Sequence, residues 1–111
     1  MERTISKTLE DIRNSILEVD SFFETRPKRY EVYLSDLCLR RAVERNITII
    51  GEAMNRLLKI APEIEITSAR RIVDTRNYVI HGYDSVTDDI MWGIVVRHLP
   101  LLKAEVDRLL E

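Results

Sequence analysis

Apolar residues recur along this 111-residue chain at helical spacing, which predicts a bundle of amphipathic helices. The first helix shows the pattern most simply, because its apolar positions alternate four and three residues apart and form the seam of a bundle. Pro27 disfavours a helical conformation in the residue before it, so this helix is expected to end nearby. The seam positions are Ile5, Leu9, Ile12, Ile16, Val19 and Phe23.

The second helix is the longest, and it is predicted to start between Tyr30 and Asp36 and to run to about Ala61. Two apolar stripes lie side by side along it and cover about half of its circumference, so it must pack against more than one neighbour. It is therefore predicted to be the central element of the fold. Gly51 and Ala53 are small and would allow another helix to approach its backbone closely.

The third helix is predicted over residues 69–81 and carries an arginine on its apolar stripe. Arg76 lies where an aliphatic side chain is expected, and a buried arginine is costly unless it is paired or faces water. Gly82 is predicted to stop the helix as a C-terminal cap, which makes His81 its last residue. Thr67 or Ser68 can cap its start. The apolar stripe consists of Ala69, Ile72, Val73 and Ile80.

The last helix is predicted to begin with Asp88 and Asp89 in its first turn, where the helix dipole favours negative charge. Pro100 lies inside this helix and should kink or divide it. Only residues 63–67 alternate with the period of a strand, and a single short strand has no partner. The chain is therefore predicted to be one all-α domain, residues 1–111, with four helices, or five if Pro100 breaks the last one.

Composition narrows the functional classes. The formal net charge of -2 and the pI near 5.7 argue against a strongly basic protein that reads long duplexes, but a local group of arginines could still bind a few phosphates. Cys38 is the only cysteine, which favours a reducing compartment. No apolar run approaches the roughly 18 residues of a membrane span, and the N-terminus lacks a signal-peptide core. We therefore expect a cytoplasmic protein.

Arg76 and His81 are the residues best suited to chemistry. Histidine exchanges protons near neutral pH, and the guanidinium fork of arginine matches phosphate oxygens. Five residues separate them, about 140° around an ideal helix, so they need a frayed helix end, a second helix or a second subunit to meet. Spacing alone favours a simpler interpretation, in which His81 caps the helix and Arg76 makes a structural ion pair.

The octapeptide over residues 76–83 reads Arg-x4-His-x-Tyr, with Asn77 directly after the arginine and Gly82 before the tyrosine. This motif resembles the signature of the HEPN superfamily, and in particular of its HepT-type ribonuclease toxins. The resemblance extends over nearly the whole chain. The other similar segments are residues 41–45 and 50–53 in the second helix and residues 91–92 and 99–100 in the last.

The resemblance implies a dimeric, HEPN-like helical bundle that acts as an RNA endonuclease toxin of a type VII-like toxin–antitoxin system. Arg76 and His81 would be catalytic, with no metal or cofactor, and Asn77 would support them. Tyr83 would be the residue to which a minimal nucleotidyltransferase, the antitoxin, attaches AMP. An AMP group there would occupy the site that RNA phosphate needs, and so inactivate the toxin.

Glu52 admits two interpretations. The sequence favours the first, in which Glu52 belongs to a solvent-exposed face that (i, i+4) ion pairs such as Glu52–Arg56 stabilise. In the second, Glu52 lies near Arg76 and orients it. His98 shares a stripe with Ile94 and Val95 and is predicted to be a satisfied core or interface residue.

Several further alternatives stay open at this stage. The chain could be a non-catalytic module that binds and assists a nucleotidyltransferase, or a purely structural dimer. The basic cluster Arg26, Lys28 and Arg29 is predicted to be a solvated loop, with RNA contact as its alternative. Trp92, Tyr30 and Tyr33 are predicted to be core residues rather than platforms for bases.

Overall fold

The computed structural model describes residues 2–81 and 87–111, and these residues form helices and turns but no strand. The all-α prediction is confirmed. None of the helices in these ranges combines the length and the apolar composition that crossing a bilayer requires. The helices are α1 (Arg3–Ser21), α2 (Tyr30–Ser35), α3 (Leu37–Ile60), α4 (Ala69–His81), α5 (Asp88–Gly93) and α6 (Leu99–Leu110), with a π-helical turn (Ile94–His98) between α5 and α6.

α3 is the central helix, as its two apolar stripes predict. It packs against both α1 and α4, and a single hydrophobic cluster joins these helices to the C-terminal helical segment. Val43, Ile47, Ile50 and Met54 of α3 are completely buried. The four middle residues of the α1 seam are buried as well, so the core lies between α1, α3, α4 and the C-terminal helical segment.

Asp36 decides where the central helix begins. Its backbone is extended (φ −124°, ψ 99°), so the region in which the sequence left the start open is divided into α2 and α3. The Asp36 carboxylate accepts the Leu39 N–H at 3.0 Å and pairs with Arg26 at 2.9 Å. Arg26 is therefore engaged in holding this corner together, and Lys28 lies 5.9 Å from the centre of the Phe23 ring.

The C-terminal segment is helical without a break from residue 88 to residue 110. Pro100 does not divide it, because Pro100 stands at the start of α6, directly after the π-helical turn. In that turn the Leu99 N–H donates to the Ile94 carbonyl, five residues back. The wider turn is where the helix accommodates the missing donor and the ring of proline.

An aromatic cluster fills the corner between α2 and α5. Tyr33 is completely buried, and its ring centre lies 5.2 Å from that of Trp92. Phe23 packs edge-on against Trp92 at 5.7 Å, and Tyr30 lies 6.3 Å from the same ring. Tyr33 is a core residue, as predicted, and the rings of Phe23, Tyr30 and Trp92 are partly buried and pack against the core.

The two predicted capping residues of α4 bind the C-terminal segment. The Thr67 hydroxyl donates to Glu105 at 2.8 Å, and the Ser68 hydroxyl forms a 3.0 Å hydrogen bond with His98 Nδ1. His98 is half-buried and has a partner, which confirms the prediction made for it. The start of α4 is thereby fixed against the π-helical turn and α6.

Candidate active site

Arg76 lies at the closest approach of α3 and α4. A Cβ atom added to Gly51 would be 2.3 Å from Arg76 Cβ, 2.8 Å from Arg76 Cγ and 3.2 Å from the Ile72 carbonyl oxygen. No side chain larger than hydrogen fits in that space. The predicted close approach at Gly51 is confirmed, and the residue that occupies it is the candidate catalytic arginine.

The Arg76 guanidinium is held only in part. Its Nη1 donates to Asn77 Oδ1 at 2.6 Å, and its Nη2 lies 3.6 Å from Glu52 Oε1. The buried Nε has no hydrogen-bond partner among the residues that the structure describes. Because a guanidinium has five N–H donors, donors are left for an anion at this site.

Glu52 lies beside Arg76. Of the two interpretations of Glu52, the contact with Arg76, which the sequence disfavoured, is the one observed. The Glu52 side chain is 44% exposed, and a distance of 3.6 Å is an ion pair rather than a good hydrogen bond. Ion pairs this exposed contribute at most about 1 kcal/mol. Glu52 therefore restrains Arg76 weakly and leaves it able to turn toward a ligand.

His81 is the last residue of α4, as the sequence predicts, and it is exposed. The helix is regular between Arg76 and His81, which keeps the two side chains about 140° apart around its axis. Helix geometry thus does not bring them into one pocket within α4. The predicted stop Gly82 and the predicted modification site Tyr83 lie outside the described residues.

The apolar stripe of α4 is buried only in its first half. Ala69, Ile72 and Val73 are buried, but Ile80 is 48% exposed, so the prediction that it joins the core stripe is wrong. Ile80 follows Val73 by two turns on nearly the same face, and the described residues leave its side chain about half exposed, whereas Val79 packs against the core. Tyr78 is also exposed. Two large side chains, Tyr78 and Ile80, are therefore exposed near the end of the helix that carries His81.

No three residues of the types His, Cys, Asp or Glu come close enough to hold a metal ion within residues 2–81 and 87–111. The chemistry visible at the site is that of a guanidinium, a neighbouring amide and carboxylate, and an imidazole at the helix end. These groups suit a phosphodiester, because arginine binds its oxygens and histidine moves its protons.

The profile of the family described as ribonuclease HepT-like matches residues 5–109. The chain belongs to this family. The match includes Gly51, Glu52, Arg76 and His81, so the whole candidate site lies inside the family domain.

Individual HepT-like relatives are similar over nearly their full length. A protein from Thermococcus cleftensis named "Probable ribonuclease HepT" is 33% identical, with 98% of each chain covered. A protein from Caldanaerobacter subterraneus named as a candidate RNase is 31% identical over 95% of this chain and 96% of its own. Another, from Methanocaldococcus jannaschii, is 29% identical over 96% of both. No solved structure matches the chain.

Sequence reasoning missed two features near this HepT-like site. It noted Gly51 as a small residue but could not show that Arg76 is what packs on it, because the pattern does not reveal which α4 residue lies opposite. It also gave no role to Arg71 and Arg97, which line a cleft together with His98. The one available signal was an arginine next to the only other histidine.

Proposed function

We propose that this chain is an RNA endonuclease, and that it acts as the toxin of a type VII-like toxin–antitoxin system. The observation that carries the proposal is the half-buried Arg76 guanidinium of a HepT-like chain, held by Asn77 and Glu52 but with a buried Nε that has no partner in the described residues. A buried donor without a partner is costly, and the Arg76 side chain, which is 24% exposed, can turn to pair with an anion such as phosphate.

The reaction needs only the groups of the chain and the substrate. The ribose 2′-oxygen attacks the adjacent phosphorus, the bond from phosphorus to the 5′-oxygen breaks, and a 2′,3′-cyclic phosphate is left. Arg76 binds the phosphate oxygens and stabilises the charge that accumulates on them in the transition state. His81 imidazoles accept the 2′-hydroxyl proton and supply a proton to the departing 5′-oxygen.

A homodimer completes this site. Within one α4, Arg76 and His81 face about 140° apart. The exposed Ile80 gives this end of the helix an apolar side chain suited to a self-complementary contact. A two-fold axis at this end would bring both copies of the motif to one cleft. Analytical ultracentrifugation is expected to give a dimer at micromolar concentration, and a monomer would refute this arrangement.

Cleavage of a single-stranded RNA tests the proposed activity. The protein should cleave it in EDTA and should leave DNA of the same sequence intact, because DNA lacks the 2′-hydroxyl. His81→Ala should lower kcat by about 10²–10⁴-fold, the contribution typical of a general acid or base, with an unchanged helical CD spectrum. Arg3→Ala, an exposed arginine at the start of α1, is the control.

Loss of cleavage on chelation, or full activity of His81→Ala, would refute the mechanism. A protein that binds its nucleotidyltransferase partner tightly and never cleaves RNA would instead support a non-catalytic assisting module.

The antitoxin in this proposal is a minimal nucleotidyltransferase that transfers AMP to Tyr83. Tyr83 follows His81 by two residues, so an anionic nucleotide there would compete with RNA phosphate for the site. Co-expression should add the mass of one or more AMP units, and Tyr83→Phe should prevent it. An adduct on Tyr78, or neutralised toxicity with no adduct, would exclude Tyr83 as the modified residue.

A further inference from the structure

A basic cleft lies between α4 and the start of the C-terminal helical segment. Its volume is about 310 Å³. It contains two arginines that the proposed chemistry does not use, one from α4 and one from the π-helical turn. The lining residues are Arg71, Asp89, Ile90, Gly93, Arg97 and His98.

The histidine of this cleft is held in a fixed orientation. Ser68, which is 7% exposed, bonds to His98 Nδ1 at 3.0 Å, and this contact leaves Nε2 as the ring nitrogen available to a ligand. Burial, and then the charges of Arg71 and Arg97, lower the pKa of His98. Both arginines line the same cleft as this ring, so two guanidinium groups and an imidazole converge on one space.

Among the described residues that line the cleft, Asp89 offsets only part of the positive charge. Within residues 2–81 and 87–111, neither Arg71 nor Arg97 forms an ion pair. Asp89 is the acid in the lining, and its carboxylate accepts the Thr87 hydroxyl. Two permanent cations therefore face one anion, in a protein whose net charge is -2.

The cleft lies within reach of the candidate active site. Arg71 precedes His81 by ten residues, about 15 Å along the axis of α4 and about 80° around it. Both side chains are on exposed positions of the same helix. A short length of extended strand can span that distance with one phosphate at each end.

We propose that the cleft formed by Arg71, Arg97 and His98 binds a backbone phosphate of the RNA a few nucleotides from the bond that is cleaved. This proposal rests on the proposed ribonuclease function and adds a binding subsite to it. The π-helical turn places Arg97 and His98 on the cleft, and such turns are frequent at functional sites. Phosphate contacts of this kind position a strand without reading its sequence.

The first test measures how binding depends on salt. A 2′-O-methyl RNA oligonucleotide cannot be cleaved by the proposed reaction, so its Kd can be followed directly from low to high salt. For single strands the slope of log K against log salt changes by about 0.7 for each phosphate contact. The double variant Arg71→Gln/Arg97→Gln should raise the Kd about tenfold and reduce the salt slope by about 0.7, the value for one phosphate contact. The control Arg3→Gln should change neither the Kd nor the slope. With cleavable RNA, KM should rise and kcat should stay within about twofold.

A steric variant tests the same cleft without removing charge. A Cβ atom on Gly93 would meet nothing within 4 Å, so Gly93→Leu should fold while its side chain occupies part of the cleft. It is expected to raise the Kd for RNA as the double glutamine variant does. Unchanged Kd and salt slope in both variants would overturn the proposal.

NMR separates the cleft from the active site, because the chain has only two histidines. His81→Ala assigns the two ring signals. The uncleavable RNA should shift the His98 signal, and the glutamine variants should abolish that shift. A His98 shift with inorganic phosphate alone, and none with RNA, would overturn the proposal. If the unmodified protein shows the His98 shift with RNA but does not cleave RNA, the proposed ribonuclease function is refuted, whereas RNA binding at the cleft is still supported.

Discussion

Arg76 and Glu105 are both charged residues within the packed bundle, and their surroundings differ sharply. Glu105 is 6% exposed, and its carboxylate accepts the Thr67 N–H at 3.1 and 3.2 Å and the Thr67 hydroxyl at 2.8 Å. Arg76 is 24% exposed at its side chain, has one short hydrogen bond to Asn77 and one loose ion pair to Glu52, and buries an Nε with no partner among the described residues.

Under the proposed function, the difference is that between a charge that holds the fold together and a charge that binds a ligand. A buried carboxylate that accepts several hydrogen bonds joins the segments that supply them, here α6 and the residues just before α4. A buried polar group left without a partner lowers stability, and it persists where a ligand supplies the missing contact. Substitution of Arg76 should therefore lower activity with little change in stability, whereas substitution of Glu105 should lower stability with little change in activity.

The largest expected effect is on catalysis at Arg76. Arg76→Ala should lower kcat for RNA cleavage by about 10²–10³-fold, the loss typical when one donor to the transition-state charge is removed. The free energy of unfolding should change by less than about 1 kcal/mol, since its main ion pair is half exposed. Single-turnover cleavage and urea unfolding measure the two quantities. An Arg76→Ala variant that stays active but is destabilised would show that Arg76, like Glu105, serves the fold.

The next effect is on stability at Glu105. Glu105→Ala should lower the free energy of unfolding by about 2–3 kcal/mol, because hydrogen bonds to a charged group are lost and the Thr67 donors lose their acceptor. Thr67→Val, which removes only the hydroxyl, should cost less. Below the unfolding transition the kcat of both variants should match that of the unmodified protein. A kcat loss without destabilisation would assign Glu105 to the site.

The smallest expected effect is on the free energy of unfolding at two glycines, Gly51 and Gly93. Gly51→Ala should lower the free energy of unfolding by about 1–3 kcal/mol, because the new methyl group overlaps Arg76 Cβ and Cγ and must push α4 away. Gly93→Ala meets nothing within 4 Å and should raise stability by up to about 1 kcal/mol through the lower flexibility of the unfolded chain.

The displacement of α4 in Gly51→Ala should also move the guanidinium of Arg76. We expect kcat to fall by more than the loss of folded protein would explain, and the NMR signal of the Arg76 Nε–H to change. Unaltered kcat and NMR signal would show that the close approach supports folding alone.

The sequence by itself determined the all-α fold, the central position of α3 and the bounds of α4 at residues 69 and 81. It also marked Arg76 as anomalous before any neighbour was known. These properties follow from the periodicity of apolar residues and from local start and stop signals, which act over a few residues of one helix. That is why the pattern alone was sufficient for them.

Only the tertiary structure decided which residues lie opposite one another. It placed Gly51 under Arg76 and Glu52 beside it, left Ile80 exposed although its stripe is apolar, and brought Arg71 to the cleft of His98. A helical pattern specifies which face of a helix is apolar but not how far along that face a neighbouring helix extends. The crossing points of the helices depend on packing over the whole bundle, and these crossing points determine the site.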